Sequence, residues 1–506
     1  MDNFRIGNFD LNYIKDICLI ILEYYVPRLN SAKINLWVEA VDSSISSFFS
    51  VMMDILHVMI LIRFLSQEEI GIFFFSYAIL YLLSQIPTGY GVAIRKKASE
   101  YNENRSIYLW NGLIITAPTL LFCFILYWLS IPFIVDYSAI QLTYSIVFST
   151  ILATIGFGIL ELARYYLAGC NKPGLAERVR AVVGKISMIT LTLIFMFIYP
   201  SVESALIAVF ITYTLTGLYI LYLSPNKFVK PSKEVSLELL RFSKWSLPTG
   251  ILNDFYRRWD TILLGFMVGS ISLGYYDSSL RIAFLSAVLG VGLAKSGNVK
   301  VSGVHEVGED VVPISKQLII ASSLLVLPFL LIVSFNSEFI LKILYGPEYI
   351  EAKWFLIGLV VVQLFQSYTF QFETIFNGIN SPEKTTKTSA IAVVFNVITA
   401  PFLVILFGGL GVIYSTIISE IVRIIVYEYE IKQKFNEYIL PKSVLLQFVI
   451  SFGIYSFIMI VNSVFSLSNI SLLIFSLSIS VFGFYYILYR LSPEVRDIIH
   501  TYIQNR

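Results

Sequence analysis

The chain has 506 residues, of which 57% are hydrophobic, 15% aromatic and only 14% charged, with a mean hydropathy of +0.76. Soluble domains carry about 25% charged residues, so a soluble globular enzyme is excluded; 28 Gly and 3 Cys likewise exclude collagen-like and disulfide-framed chains. A net charge of +2 gives no cue toward nucleic acid, and the information lies in where the charges fall.

The N-terminal MDNFRIGNFD lacks a basic stretch running into an apolar core, so no cleavable signal peptide is expected. Residues 11–30 mix apolar positions with Lys15, Asp16 and Glu23 and read as an interfacial amphipathic helix. Runs of about 20 apolar residues, enough to cross the hydrocarbon, then predict fourteen helices. They fall near 44–65, 70–94, 108–131, 140–168, 178–199, 202–223 and 245–268, and near 275–296, 314–335, 352–378, 388–407, 409–431, 443–463 and 468–490. Placing the N-terminus in the cytoplasm makes the connections alternate in charge. Of 36 Lys and Arg, only Lys342 and Lys353 then face outside, six Arg lie within spans, and the rest are inside. The prediction is a multi-pass protein of the cell membrane with both termini cytoplasmic. Cys18, Cys123 and Cys170 are too far apart for a disulfide frame, and His57, His305 and His500 too scattered for a metal site; no cofactor is expected.

Self-similarity runs along the chain. Gly169-Cys170-Asn171-Lys172-Pro173 ends the fourth predicted span and Gly378-Ile379-Asn380-Ser381-Pro382 the tenth, both reading G-x-N-x-P. Gly89-Tyr90-Gly91 stands before Arg95 in the second span, as Gly290-Val291-Gly292 stands before Lys295 in the eighth, and Gly71 and Gly274 open those two helices. Spans 1–6 thus repeat as spans 7–12 in the same orientation, an organisation found in transporters. The expected fold is all-α: two pseudo-symmetric six-helix lobes plus two C-terminal helices. Its predicted segments are a cytoplasmic or interfacial stretch over 1–43, a first lobe over 44–223, a cytoplasmic linker over 224–244, a second lobe over 245–431, helices 13–14 over 443–490 and a cytoplasmic tail over 491–506.

Ordered local patterns add a resemblance. They are Phe64-Leu65-Ser66-Gln67-Glu68-Glu69-Ile70-Gly71 before the second span, Arg257-Arg258-Trp259-Asp260-Thr261 with Leu273-Gly274-Tyr275-Tyr276 around the seventh and eighth, and Leu344-Tyr345-Gly346-Pro347-Glu348-Tyr349 after the ninth. In this order they resemble the multidrug/oligosaccharidyl-lipid/polysaccharide exporter superfamily, in its polysaccharide-biosynthesis flippase branch. The resemblance implies transfer of a polyprenyl-linked saccharide from the inner to the outer leaflet. It also implies a lipid-linked oligosaccharide and the bilayer as partners, enzymes of glycan assembly as neighbours, a monomer, and no role for nucleic acid.

Ionisable residues inside a membrane are costly and are functional candidates. Arg257 and Arg258 are adjacent guanidiniums near mid-span, suited to a diphosphate; Arg281 and Arg63 are further phosphate candidates. Asp54, His57, Glu161, Asp254 and Asp260 are candidates for the polar cavity or for ion coupling. Glu161/Arg164, Glu420/Arg423 and Asp277/Arg281 are spaced to pair along their own helices, the structural alternative. Polar stripes at helical spacing run through Ser43, Ser47, Ser50, Asp54 and His57, through Thr150, Thr154, Gly158 and Glu161, and through Gln366, Thr369, Glu373 and Asn377. They suit either a shared aqueous cleft or ordinary interhelical seams. Arg164 and Glu373 stand at the same offset before the two G-x-N-x-P motifs, which predicts a cross-lobe salt bridge that closes the cytoplasmic gate when the protein faces out. Two other functions compete: a Na⁺- or H⁺-coupled drug or metabolite exporter using Asp54, and a membrane polysaccharide polymerase or ligase. The second lacks a loop carrying paired catalytic carboxylates, and no GxxxxGK[ST] phosphate loop supports an ATP-driven pump.

Overall fold

A chain this apolar folds by satisfying its backbone inside helices and burying small and polar side chains between them. The computed structural model describes residues 36–100, 105–225 and 227–497. The predicted amphipathic helix over 11–30 and the last residues of the tail lie outside them. The helices are α1 (Leu36–Phe64), α2 (Gln67–Glu100, two segments meeting at Ser84), α3 (Ser106–Tyr137), α4 (Tyr144–Gly169), α5 (Pro173–Ile198), α6 (Val202–Leu223) and α7 (Lys233–Met267). They continue as α8 (Ser270–Glu306), α9 (Val312–Tyr345), α10 (Lys353–Gly378), α11 (Pro382–Phe407), α12 (Leu410–Phe435), α13 (Lys442–Phe465) and α14 (Asn469–Leu491). Each predicted span has its helix. Thirteen are long and apolar enough to cross a membrane; α7 falls short because Asp254, Arg257, Arg258 and Asp260 crowd its second half. The stretch predicted as a linker over 224–244 is extended only to Ser232, and its remainder is the start of α7.

Local chemistry sets the helix ends. Ser66 caps α2 in a reciprocal box with Glu69, the Ser66 amide donating to Glu69 Oε2 at 2.8 Å and the Glu69 amide to Ser66 Oγ at 3.3 Å. The two G-x-N-x-P motifs take one backbone form. Asn171 (φ 65°) and Asn380 (φ 55°) are both left-handed, which asparagine tolerates, and Pro173 and Pro382 open α5 and α11 with a preset φ. The amides of Lys172 and Ser381 return to the carbonyls of Leu167 and Phe376 at 3.3 and 2.8 Å. Gly169 lies against Arg95 and Ala98 of α2, and Gly378 against Val301 and Ser302 of α8, the same crossing in each half.

Packing follows the repeat. α2 packs on α4 and α4 on α6; correspondingly α8 packs on α10 and α10 on α12. The halves meet through α1 on α8 and α2 on α7, one crossing with the halves exchanged, and through α2 on α8. α13 and α14 dock on α9 by buried polar contacts: Ser323 Oγ donates to Gln447 at 2.6 Å, Asn336 Nδ2 to Ser476 Oγ at 2.7 Å, and the Tyr485 hydroxyl to the Leu324 carbonyl at 2.8 Å. Large apolar side chains such as Leu129, Phe402 and Phe482 project from α3, α11 and α14, where lipid would lie. The bundle has a basic face, which carries the connections before α3, α5, α7, α9, α11 and α13. Its opposite is a lysine-poor face whose connections span at most seven residues, 346–352.

Candidate functional site

At the lysine-poor face the halves touch backbone to backbone. A Cβ at Gly71 would stand 1.9 Å from the Ser270 carbonyl oxygen, and one at Gly274 would stand 3.1 Å from that of Gln67. Gln67 also donates across to the Glu348 carbonyl at 2.8 Å. Toward the basic face α7 lies along α2: Gln85 donates to Asp254, and Lys97 pairs with Glu238 at 2.8 Å.

Between these seams, charged and hydroxylated side chains from both halves converge. Asp54 of α1 pairs with Lys185 of α5 and lies within electrostatic range of Arg281 of α8, which also faces Asp277. Arg281 is half-buried over the Phe74 ring at 5.7 Å, and its Nε meets no acceptor among the described residues. Next to it, Tyr77 and Tyr213 share a hydroxyl contact of 2.5 Å and Tyr81 donates to Tyr77 at 3.4 Å. The guanidinium of Arg258 covers the Tyr81 ring at 4.3 Å, and Arg180 and Lys185 lie within electrostatic range of the Tyr81 hydroxyl. Arg180 and Lys185 of the first half, and Arg258 and Arg281 of the second, therefore all lie within electrostatic range of Tyr81. Such a cluster offers planar and point-charge donors together with aromatic faces, a set suited to a phosphate bearing a sugar.

Arg180 and Lys185 were not among the sequence candidates. The sequence placed them at the cytoplasmic edge of a span starting at 178, whereas α5 begins at Pro173. A π-helical turn over Val179–Gly184 follows, and its i→i+5 spacing stacks residues five apart, bringing Arg180 and Lys185 to one face. Pro173 after a left-handed Asn171 was the available signal for the earlier start.

The remaining candidates are distributed as follows. His57 contacts the Thr192 hydroxyl at 3.1 Å and leaves Asp54 to Lys185. Asp260 accepts from Tyr276 at 2.9 Å and Thr416 at 3.0 Å, not from Arg257 or Arg258; Arg257 is exposed, with Asp254 as an electrostatic neighbour. Arg63 is exposed in the last turn of α1, away from the cluster, as a snorkelling side chain would be. Glu161 holds Arg164 at 2.5 Å, and Glu177 of α5 is its second partner. Glu373 pairs with Arg423, which also reaches Glu420 at 3.6 Å and Ser389 at 2.8 Å. In this conformation, with the seam at the lysine-poor face closed, Arg164 and Glu373 are each paired within their own half, Arg164 with Glu161 and Glu177 and Glu373 with Arg423. In the α4 stripe, Thr150 and Thr154 donate to carbonyls of their own helix at 2.8 Å, the pattern of a seam. The side chain of Ser43 lies outside the described residues. The described residues contain no group of three or more His, Cys, Asp or Glu placed to hold a metal.

The family model described as polysaccharide biosynthesis protein matches residues 40–291, and that described as MatE matches 248–402, so the two together run through both halves. The chain belongs to the multidrug/oligosaccharidyl-lipid/polysaccharide exporter superfamily. Within that superfamily it is 24% identical over 366 residues to the "Probable flippase AglR" of Haloferax volcanii, covering 69% of this chain and 73% of that one. It is 26% identical over 201 residues to the "Probable low-salt glycan biosynthesis flippase Agl15" of the same organism, a match spanning 39% of this chain and 42% of the relative's length. Among solved structures, the inward closed conformation of the lipid II flippase MurJ superposes with a TM-score of 0.76 at 15% identity, over 89% of this chain and 99% of that one. An inward-facing multidrug transporter of the MATE family superposes with 0.59 at 17% identity, over 79% and 99%. At these identities the structural likenesses establish the fold, and the chain is a multi-pass membrane protein.

Proposed function

We propose that this protein carries a polyprenyl-phosphate- or diphosphate-linked oligosaccharide from the cytoplasmic to the outer leaflet of the cell membrane, by alternating access of two six-helix lobes. The observation that carries the reading is the cluster of Arg180, Lys185, Arg258 and Arg281 within electrostatic range of Tyr81, drawn from both halves. Phosphate oxygens would exchange for the acids that now neutralise these bases, and the tyrosine faces would lie against sugar rings. In this reading the basic face is cytoplasmic, both termini with it, and the lysine-poor seam is the closed outer gate. The prenyl chain stays in lipid. The matched relatives named as flippases support the same function.

A cation-coupled drug exporter using Asp54 would have to displace Lys185, with which Asp54 is paired. The deciding experiment measures lipid-linked saccharide in cells lacking the protein, with leaflet exposure scored by a membrane-impermeant glycan label. The expected result is accumulation of unlabelled, inner-leaflet carrier with loss of surface glycan. Re-expression of Arg258→Gln/Arg281→Gln should leave that defect in place, whereas Arg63→Gln should repair it. An unchanged lipid pool, with dye efflux lost in its place, would overturn the reading.

A further inference from the structure

The two lysines that flank the 346–352 connection, Lys342 in the last turn of α9 and Lys353 at the start of α10, line one pocket. It has a volume of about 400 Å³ and lies between the end of α9, the start of α10 and the start of α14, apart from the central cluster. Lys353 is held by Glu338 at 2.6 Å, while Lys342, exposed, makes no ion pair among the described residues. Trp354 presents an open ring there, 58% exposed, with Lys353 over it at 5.6 Å. The pocket wall also contains Asn336, only 2% exposed. Its Nδ2 is used by the Ile332 carbonyl at 2.8 Å and by Ser476, but its Oδ1 meets no donor among the described residues.

A buried amide oxygen without a donor costs roughly 1–3 kcal/mol unless something supplies one. A free ammonium lining the same pocket calls for an anion, and the exposed face of an indole for a flat partner. A sugar supplies all three when it carries a phosphate or carboxylate: hydroxyls donate, the ring face stacks, and the anion meets Lys342. The volume falls within the ~300–1,000 Å³ of small-ligand pockets.

We propose that this pocket is a second ligand site, specific for an anionic saccharide and separate from the central cluster. It rests on the flippase reading only for the origin of that saccharide, the headgroup delivered to the outer leaflet. α14, which belongs to neither six-helix repeat, then serves as one wall of a product-side subsite.

The test titrates glucose 1-phosphate, glucose and inorganic phosphate into the full-length protein in phosphatidylcholine nanodiscs by calorimetry. Glucose 1-phosphate should bind roughly tenfold more tightly than either fragment. Lys342→Gln should remove its advantage over glucose, and Trp354→Leu its advantage over phosphate. Both positions are exposed, so their substitution leaves the fold intact, which the unfolding midpoint verifies. Arg258→Gln, in the central cluster, should leave unchanged the component of binding that Lys342→Gln removes. Absence of binding, or binding no tighter than that of inorganic phosphate, would overturn the proposal. So would binding lost in Arg258→Gln but kept in Lys342→Gln, although the flippase reading would survive. A parallel titration in phosphatidylglycerol nanodiscs separates the two sources of an anionic headgroup. If that lipid blocks glucose 1-phosphate, and Lys342→Gln removes the block, the occupant is a phospholipid and the saccharide assignment is wrong.

Discussion

Arg423 of α12 serves two acids at once, Glu373 on α10 and Glu420 on its own helix, with Glu420 only 1% exposed. Removing such a base strands buried carboxylates, at a cost of about 3–5 kcal/mol. Arg423→Met should therefore lower the unfolding midpoint in detergent markedly, and adding Glu420→Gln should return part of the loss. If the single variant unfolds like the parent, the pairing contributes nothing to stability. The lone pair Asp54–Lys185 is different, because both side chains keep 29% exposure and sit beside further bases. Breaking it with Lys185→Gln should cost less stability, roughly 1–3 kcal/mol, while its effect on leaflet transport should be larger than that of Arg423→Met relative to folded protein. These residue roles were only partly legible in the sequence. The i,i+3 pairs Glu161/Arg164 and Glu420/Arg423 could be read from spacing, since a helix fixes those neighbours. Lys185 opposite Asp54 could not, since which faces of α1 and α5 meet is decided by packing across 131 residues of chain.

At the scale of helices, the crossing of α2 and α8 is set by the absence of side chains. Gly71 tolerates nothing, because a methyl there would overlap the Ser270 carbonyl; Gly274 leaves a few tenths of an ångström to be found. Gly71→Ala should consequently be the more damaging of the two alanine substitutions. Cross-linking between cysteines at positions 67 and 348, otherwise bridged by the Gln67 hydrogen bond, should fall in Gly71→Ala and be nearly normal in Gly274→Ala. Equal yields in both would show that this crossing does not govern closure of that face. The helices were the most legible part of the chain: each predicted span is present, because runs of apolar residues bounded by Gly, Pro and Asn leave few alternatives in lipid. Boundaries were less so. α1 is already helical at Leu36, the first described residue and well before the predicted 44, since Glu39 and Asp42 interrupt the apolar run without interrupting the helix. The π turn in α5 left no mark in the periodicity at all.

For the whole molecule, the packing repeats along with the sequence, so the two halves share one set of helix crossings and one turn geometry. The proposed orientation, with the basic face in the cytoplasm, follows from the charge partition. Single cysteines at positions 347 or 466, in an otherwise cysteine-free chain, should react with an impermeant thiol reagent added to intact cells. Cysteines at 384 or 434 should react only after the membrane is opened; the reverse pattern would invert the topology and the direction of transport with it. The connections on the lysine-poor face carry a further meaning. A strip of two to seven residues is too short to fold into an epitope, a receptor or a landing platform. Whatever next handles the delivered molecule has almost no loop to grip, so the handover becomes an encounter in two dimensions, governed by lateral diffusion and by how abundant the two parties are in the same leaflet.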